Sequence, residues 1–468
     1  MGPTYVITHP DRLLAYESDG LTAYRVPPRA VVLPASTEEV SAVVSALHAE
    51  GIEVIPRGAG TGLSGGALAT PNGVIVGMAR MNQILSIDPE NRIARLQPGV
   101  INARLTEEAK PYGLYYAPDP SSQSTCTLGG NVAENSGGPH CLKYGVTTRY
   151  VTGLTVVLAG GRTVRLGGAG RDPYASLDMV GLFVGSEGCF GIATEIEVGL
   201  LPITESVRTL LGIFDTVEAA GRAVTKIMGS GLMPAAVEII DGPTIEAVEA
   251  SVFAAGYPVG AGAALVIEFD GSDAGLDEDA DRAEACCLEE GAIEVQRATD
   301  PEHRLKLWRG RKKAFGAMGR IAPDLLVQDA TVPRTRLPEV LAKIDEIGER
   351  YDLKIANVFH AGDGNLHPNL LFDRQNADEL DRVDRASKEI MQLCVDVGGT
   401  ITGEHGVGID KRQYMTLVHN NVELDMLTRV KRCFDPDELF NPGKVIPDMD
   451  ADVDAGVDAD VNAEVKAS

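Results

Sequence analysis

The chain has 468 residues, of which 44% are hydrophobic and 23% charged, with a formal net charge of -25. That length is too great for one small core and predicts two domains. The acidity excludes nucleic acid as a partner and gives no direct attraction to anionic lipid, since both would demand a basic footprint.

No uninterrupted apolar run of about 18 residues occurs, so no membrane-spanning helix is expected. The start, "MGPTYVITHPDRLL", lacks the charged and apolar regions of a signal peptide. Seven cysteines without CxxC spacing predict reduced thiols, a cytoplasmic protein and no iron–sulfur cluster within this chain.

In chain order, "ASTEEVSAVVSALHAEG" predicts a helix, with Ser36 and Glu39 spaced as a capping box. Val40, Val43, Val44 and Leu47 share one face, and Gly51 ends the helix. "IEVIP", "GVIVGM" and "RIARLQPG" read as strands, and "YVTGLTVVLAGGRTVRLG" as a hairpin around Gly160–Gly161. "FGIATEIEVGLLP" is a further strand, with Pro202 marking a boundary. Beyond it, "TVEAAGRAVTKIMGSG" predicts a helix, followed by the strand "AAVEIID", another helix and the strand "AALVIEFDG". The expected class is α+β, the second domain built on an antiparallel sheet. The closing stretch "DMDADVDAGVDADVNAEVKAS" is acidic and lacks aromatics, and predicts a disordered tail over 448–468.

Three glycine-rich segments stand out. "PRGAGTGLSGGA" (56–67) can bring its backbone close to a ligand and aim several N–H groups at a phosphate. It is not a Rossmann turn, because Pro71 and Gly73 prevent a helix from following. The second is "PDPSSQSTCTLGGNVAENSGGPHCLKYGV" (118–146) and the third "FVGSEGCFGIAT" (183–194). Three such loops in one domain suit a long dinucleotide such as FAD.

In this order, the three segments resemble the FAD-binding domain of the vanillyl-alcohol-oxidase (PCMH-type) flavoproteins. The later segments are similar to the D-2-hydroxyacid dehydrogenase and glycolate oxidase branch. The resemblance covers nearly the whole chain except the acidic tail. It implies an N-terminal segment (1–25), a two-subdomain FAD-binding domain (26–204) and an α+β cap and metal domain (205–447). It also implies that Arg57, Gly58, Ala59, Gly60, Thr61, Gly62, Leu63, Ser64, Gly65 and Gly66 bind the pyrophosphate. Pro118, Ser124, Thr127, Gly130, Asn131, Asn135, Gly138 and Tyr144 would line the flavin and ribityl chain. Glu187, Gly188, Gly191 and Ile192 would meet the adenine end. Asn441 and Lys444, in "LFNPGKV", would return to the flavin. Some relatives attach the flavin through a histidine of the first loop; "LSGGAL" has none, so the FAD is expected to be non-covalent.

"FHAGDGNLHPNLLF", from Phe359, carries two of the chain's eight histidines around a polar turn. A two-residue turn at Asp363–Gly364 would set His360 opposite His367, with Cβ atoms about 4.5–5.5 Å apart, close enough to share a cation. Downstream, "TGEHGVG" offers Glu404 as a third ligand. Two imidazoles and a carboxylate leave positions open for substrate. The resemblance implies the same ligand set, His360, His367 and Glu404, with zinc the first choice and manganese, iron or cobalt compatible.

His405 lies next to Glu404, and the resemblance implies that it is the catalytic base. "RLKLWRGRKKAFGAMGR" is a basic stretch that would ordinarily be a solvated helix face. The resemblance places Arg311 on the substrate carboxylate, with Arg309 as the alternative. Asn369 shares a strand face with His367 and matches a substrate-contacting asparagine. Where relatives acting on longer diacids carry a lysine and a threonine, this chain has Val327 and Phe315, which favours a small or apolar substituent. The implied reaction is oxidation of a small D-2-hydroxy acid, D-lactate or glycolate first, with a glycolate oxidase FAD subunit that needs partner subunits and a non-redox flavin-dependent transferase on the same scaffold as the alternatives. Electrons would leave to a separate acceptor: an iron–sulfur subunit, a cytochrome, a quinone or an electron-transfer flavoprotein. Any membrane association would run through such a partner, and a homodimer is compatible with the sequence.

Overall fold

The computed structural model describes residues 1–168 and 177–448. The acidic tail expected over 448–468 lies outside the described residues from 449 onward. The chain forms two compact units. One comprises Met1–Gly137, Val146–Ile203 and the chain from Glu404 on; the other comprises Gly138–Gly145 and Thr204–Gly403. Among the described residues no helix is long and apolar enough to cross a membrane. All seven cysteines are free thiols.

The first unit holds two sheets. In one, Val54–Arg57 and Ala30–Val32 run parallel on either side of Val74–Gly77, and Val6–Ile7 pairs antiparallel at the edge. The other is antiparallel, in the order Ile84–Asp88, Ile93–Leu96, Ile192–Gly199, Val151–Val157, Thr163–Gly167. Its last two strands are the hairpin expected around Gly160–Gly161. The helix Thr37–Ala49 closes the core by seating Val40 and Val44 among Val54, Val76, Val157 and Phe440. Its N-terminus departs from the expected capping box. Ser36 accepts the Glu39 N–H at 3.3 Å, but the Glu39 carboxylate accepts from Ala35 N–H at 2.8 Å rather than from Ser36.

The second unit is built on a seven-stranded antiparallel sheet. Its order is Glu294–Arg297, Ser206–Phe214, Ala263–Gly271, Ala236–Asp241, Lys354–Phe359, Pro368–Phe372, Asp324–Val327. The helix Pro301–Met318 lies against one face. Asp300 starts it by accepting the His303 N–H at 2.8 Å, with Pro301 at the first helical position. Leu307, Trp308, Arg311, Ala314 and Met318 fall on its inner stripe, at helical spacing.

Asp241 ends a central strand and caps the helix Gly242–Glu249, accepting N–H groups from Thr244 at 2.9 Å and Asn357 at 2.6 Å. Burial pushes its pKa up to about 7 from 3.8, despite those hydrogen bonds. The folded state therefore holds this proton more tightly than the unfolded chain. The stability it contributes is full below pH 3.8 and is lost as pH rises towards 7. Asp241→Asn should flatten that limb: its melting temperature should fall less than wild type's between pH 5 and 7, and parallel curves would disprove this.

Candidate functional site

In the first unit the three glycine-rich segments converge on one another. A Cβ added at Gly58 would lie 2.4 Å from Thr127 Oγ1. Thr127 in turn caps the short helix Leu128–Glu134 by accepting the Gly130 N–H at 3.3 Å. Arg57 is buried and does not reach outward. It donates to Ala67 O at 3.2 Å and Ser18 O at 2.8 Å, bracing the loop from behind. Asn441 donates to Gly66 O at 2.9 Å and Glu187 O at 2.6 Å, so it ties the first segment to the third. Lys444 adds hydrogen bonds to Gly66 O at 2.8 Å and Leu68 O at 2.6 Å.

Each segment also contributes buried polar atoms with no partner among the described residues: Ser64 Oγ in the first, Asn131 Nδ2 and Glu134 Oε2 in the second, and Ser186 Oγ in the third. Such atoms are costly unless a ligand satisfies them. Together with the glycine cradle, they fit a long polar ligand such as FAD. Ser186 escaped the sequence reading, although it stands beside Glu187.

Glu134 was also missed. Its carboxylate abuts Gly66, where an added Cβ would lie 2.8 Å from Oε1. Burial raises its pKa well above the usual range, and the nearby Glu187 and Asp19 add to this. Burial likewise raises Glu187, although its carboxylate accepts the N–H groups of Val407 at 2.8 Å and Gly408 at 2.7 Å. Gly408 has φ +51, and a Cβ there would sit 2.0 Å from Ser64 O. This explains the closing glycines of "TGEHGVG". Glu404 and His405 belong to this unit.

The second unit assembles its own array on the face of the sheet that Pro301–Met318 covers. Ile239 pairs with Phe359 and Ile240 with Val358, a register that sets Glu238 beside His360. Because side chains alternate along a strand, His360, His367 and Asn369 share this face with Glu238. The turn differs from the expected two-residue hairpin. His360 exchanges backbone hydrogen bonds with Asn365, at 3.0 and 3.2 Å, so the loop is the four residues Ala361 to Gly364. The bend is fixed by Gly364, which has φ +83 and where a Cβ would meet Val332 O at 2.2 Å. The partner register thus slips by two, which preserves the face. The two imidazoles meet edge to face, with ring centroids 5.1 Å apart.

Each imidazole is oriented from behind. His360 Nδ1 lies 2.8 Å from Glu238 Oε1, and His367 Nδ1 lies 3.2 Å from Gln328 O. Both partners are acceptors, which suits the tautomer protonated on Nδ1 and makes Nε2 the atom that would coordinate a cation. This arrangement fits a cation. Asp329 Oδ1 lies 3.8 Å from His367 Nδ1. Its Oδ2 accepts from Thr402 Oγ1 at 2.6 Å and from the N–H of Gly403, the residue before Glu404, at 3.1 Å.

Arg311 is 1% exposed and donates from Nε to Glu238 Oε2 at 2.6 Å, while its NH1 has no partner among the described residues. Asn369 gives its amide hydrogens to Ala356 O at 2.8 Å and His367 O at 2.7 Å. Its buried Oδ1 has no partner among the described residues. Arg309, Lys312 and Lys313 are exposed. Gly138 and Tyr144 lie in the segment that packs with this second unit, where Tyr144 donates to Asp270 Oδ2 at 2.7 Å.

Comparison with known proteins gives two family matches. Residues 28–167 match the FAD binding domain, and residues 203–445, more than half the chain, match the FAD linked oxidases, C-terminal domain. The chain belongs to the FAD-linked oxidases. This FAD-linked oxidase is 47% identical to the glycolate oxidase subunit GlcD of Escherichia coli K12, over 96% of this chain and 89% of that one. It is 34% identical to the D-lactate dehydrogenase of Anaerostipes hadrus, over 89% of each. Among solved structures, p-cresol methylhydroxylase superposes with a TM-score of 0.80 at 18% identity, covering 97% of this chain and 96% of that one. An alkyldihydroxyacetonephosphate synthase gives 0.74, also at 18% identity, covering 94% and 82%. Those two establish the PCMH-type fold shared by this oxidoreductase and say nothing of its substrate.

Proposed function

We propose that this enzyme oxidises a small D-2-hydroxy acid, D-lactate or glycolate, to the 2-oxo acid. The observation that carries this reading is the second unit's array. A buried guanidinium with NH1 unpartnered among the described residues stands beside two imidazoles whose Nδ1 atoms each face an acceptor oxygen. The relatives' names point the same way.

In this reading Arg311 binds the substrate carboxylate through NH1, while Asn369 Oδ1 accepts a hydrogen bond from the substrate. His360, His367 and Glu404 would hold a divalent cation, zinc first. When bound, such a cation lowers the pKa of a hydroxyl group. His405 takes the proton from the substrate hydroxyl oxygen. FAD held by the glycine-rich segments would supply the hydride acceptor for the substrate Cα. One hydride, carrying both electrons, thus leaves Cα, one proton passes from the hydroxyl to His405, and the 2-oxo acid departs. Val327 and Phe315 restrict the substituent to a small or apolar group. A separate acceptor reoxidises the flavin, in keeping with a relative named as a subunit.

The test is anaerobic mixing of the FAD-loaded enzyme with D- and L-lactate, glycolate and longer 2-hydroxy acids. D-lactate or glycolate should bleach the visible flavin band. A flavin that stays oxidised with every member, in enzyme replete with metal, overturns the reading.

A further inference from the structure

The second unit contains a carboxylate that the proposed chemistry does not use. Glu238 is 0% exposed, and it is the lone charge in the otherwise apolar strand Ala236–Asp241 before the capping Asp241. Its two oxygens have different tasks. Oε1 lies 2.8 Å from His360 Nδ1, and Oε2 accepts from Arg311 Nε at 2.6 Å. A buried carboxylate is expensive unless paired, and here both oxygens are paired with groups of the array.

The contact between Arg311 NH2 and His360 Nδ1 is 3.4 Å. It is longer than either bond to Glu238, and NH2 is itself a donor. His360 Nδ1 is therefore assigned as donating to Glu238 Oε1 rather than accepting from Arg311 NH2. One carboxylate thus fixes two things together: the tautomer of His360 and the edge by which Arg311 is gripped. Held by its Nε edge, the guanidinium presents NH1, which has no partner among the described residues.

We propose that Glu238 is a positioning residue that aligns a metal-binding imidazole with the carboxylate-binding guanidinium, so that cation and substrate anion are received in one fixed relation. The proposal rests on the roles assigned above to His360 and Arg311. Neutral exchange breaks it in a defined way. In Glu238→Gln the side-chain oxygen can still accept from His360, but the amide then points its own hydrogens at Arg311 Nε–H. If the amide flips to suit Arg311, His360 loses its acceptor. One of the two must be released.

The experiment uses full-length enzyme loaded with FAD and stripped by chelator, and it reads Zn²⁺ affinity, KM and flavin content separately. Glu238→Gln should weaken Zn²⁺ binding by about 10–100-fold, as loss of a ligand's supporting hydrogen bond does, or raise KM by a similar factor at saturating Zn²⁺. The FAD-to-protein ratio and the visible spectrum should not change. Glu238→Asp, which keeps the charge, should retain more of both properties than Glu238→Gln. Zn²⁺ affinity and KM both within twofold of wild type in Glu238→Gln would overturn the proposal.

His360→Ala separates the two levels. If it loses Zn²⁺ while Glu238→Gln changes nothing, the metal reading stands and the positioning role falls. If His360→Ala itself keeps wild-type Zn²⁺ affinity, the metal reading falls and takes the proposal with it. A measurement on the unaltered protein guards against misfolding of the variants. In ¹⁵N-histidine spectra of the zinc-loaded enzyme, His360 should carry its proton on Nδ1, and a proton on Nε2 would overturn the proposal.

Discussion

Replacing His405 with alanine should lower kcat by about 10²–10⁴-fold, the range for loss of a positioned general base, with FAD still bound in full. The expectation separates His405 from its neighbours. It is not one of the three proposed metal ligands, so Zn²⁺ content should stay near wild type, whereas replacing Glu404 should lower it. It is not the carboxylate clamp either, so KM should move far less than in an Arg311 variant. The flavin segments are braced by Arg57, Asn441 and Lys444, none of which depends on the His405 side chain. Visible absorbance should therefore report full cofactor loading. Single-turnover flavin reduction isolates the chemical step from reoxidation, and a loss below tenfold in that step removes His405 from the role of base.

Much of the architecture could be read from the residues because strand and helix periods leave strong marks. The strands Val54–Arg57, Val74–Gly77, Ile93–Leu96, Val151–Val157, Thr163–Gly167 and Ile192–Gly199 of the first unit, and the long strands Ala236–Asp241 and Ala263–Gly271, stand where their apolar runs put them. The hairpin register was less accessible. "GDGN" admits a two-residue or a four-residue loop, and the contact that decides, Val332 against Gly364, comes from residues distant in sequence. The slip cost nothing at the site because a shift of two residues restores the same face.

Arg311 was placed by resemblance alone, yet its helix carries a direct signal: it falls on the stripe of Leu307, Ala314 and Met318, while Arg309, Lys312 and Lys313 fall outside it. Glu238 and Glu268 were overlooked although each is a charge set within an apolar run of its strand, and both proved buried with more than one donor. A charge in such a position has to be paired, so the sequence pattern implied partners without naming them. Arg57 and Asn441 show the opposite limit. They sit in the expected segments, but their side chains bond to backbone carbonyls, which no motif announces.

Removal of the metal should abolish reduction of the flavin by substrate while leaving the flavin spectrum intact. The reason lies in how the donors are divided. The buried polar atoms that fit FAD belong to the glycine-rich segments, at Ser64, Asn131 and Ser186. The two imidazoles belong to the seven-stranded sheet, held by Glu238 and by the backbone of Gln328. A chelator should therefore withdraw the proposed cation from the second set without touching the first. Stripped enzyme should retain its yellow colour and accept electrons from dithionite, yet stay oxidised with D-lactate or glycolate. Adding Zn²⁺, Mn²⁺ or Co²⁺ in turn should restore bleaching, and the order of recovery identifies the preferred ion, since imidazole and carboxylate together accept all three. His367→Ala should reproduce the stripped state and resist rescue, because its ring is the proposed ligand that the Gln328 carbonyl orients. Substrate-driven bleaching at the wild-type rate, in enzyme shown by elemental analysis to hold far less than one metal per chain, would refute the metal's part in the reaction. It would leave Arg311 and His405 to carry it.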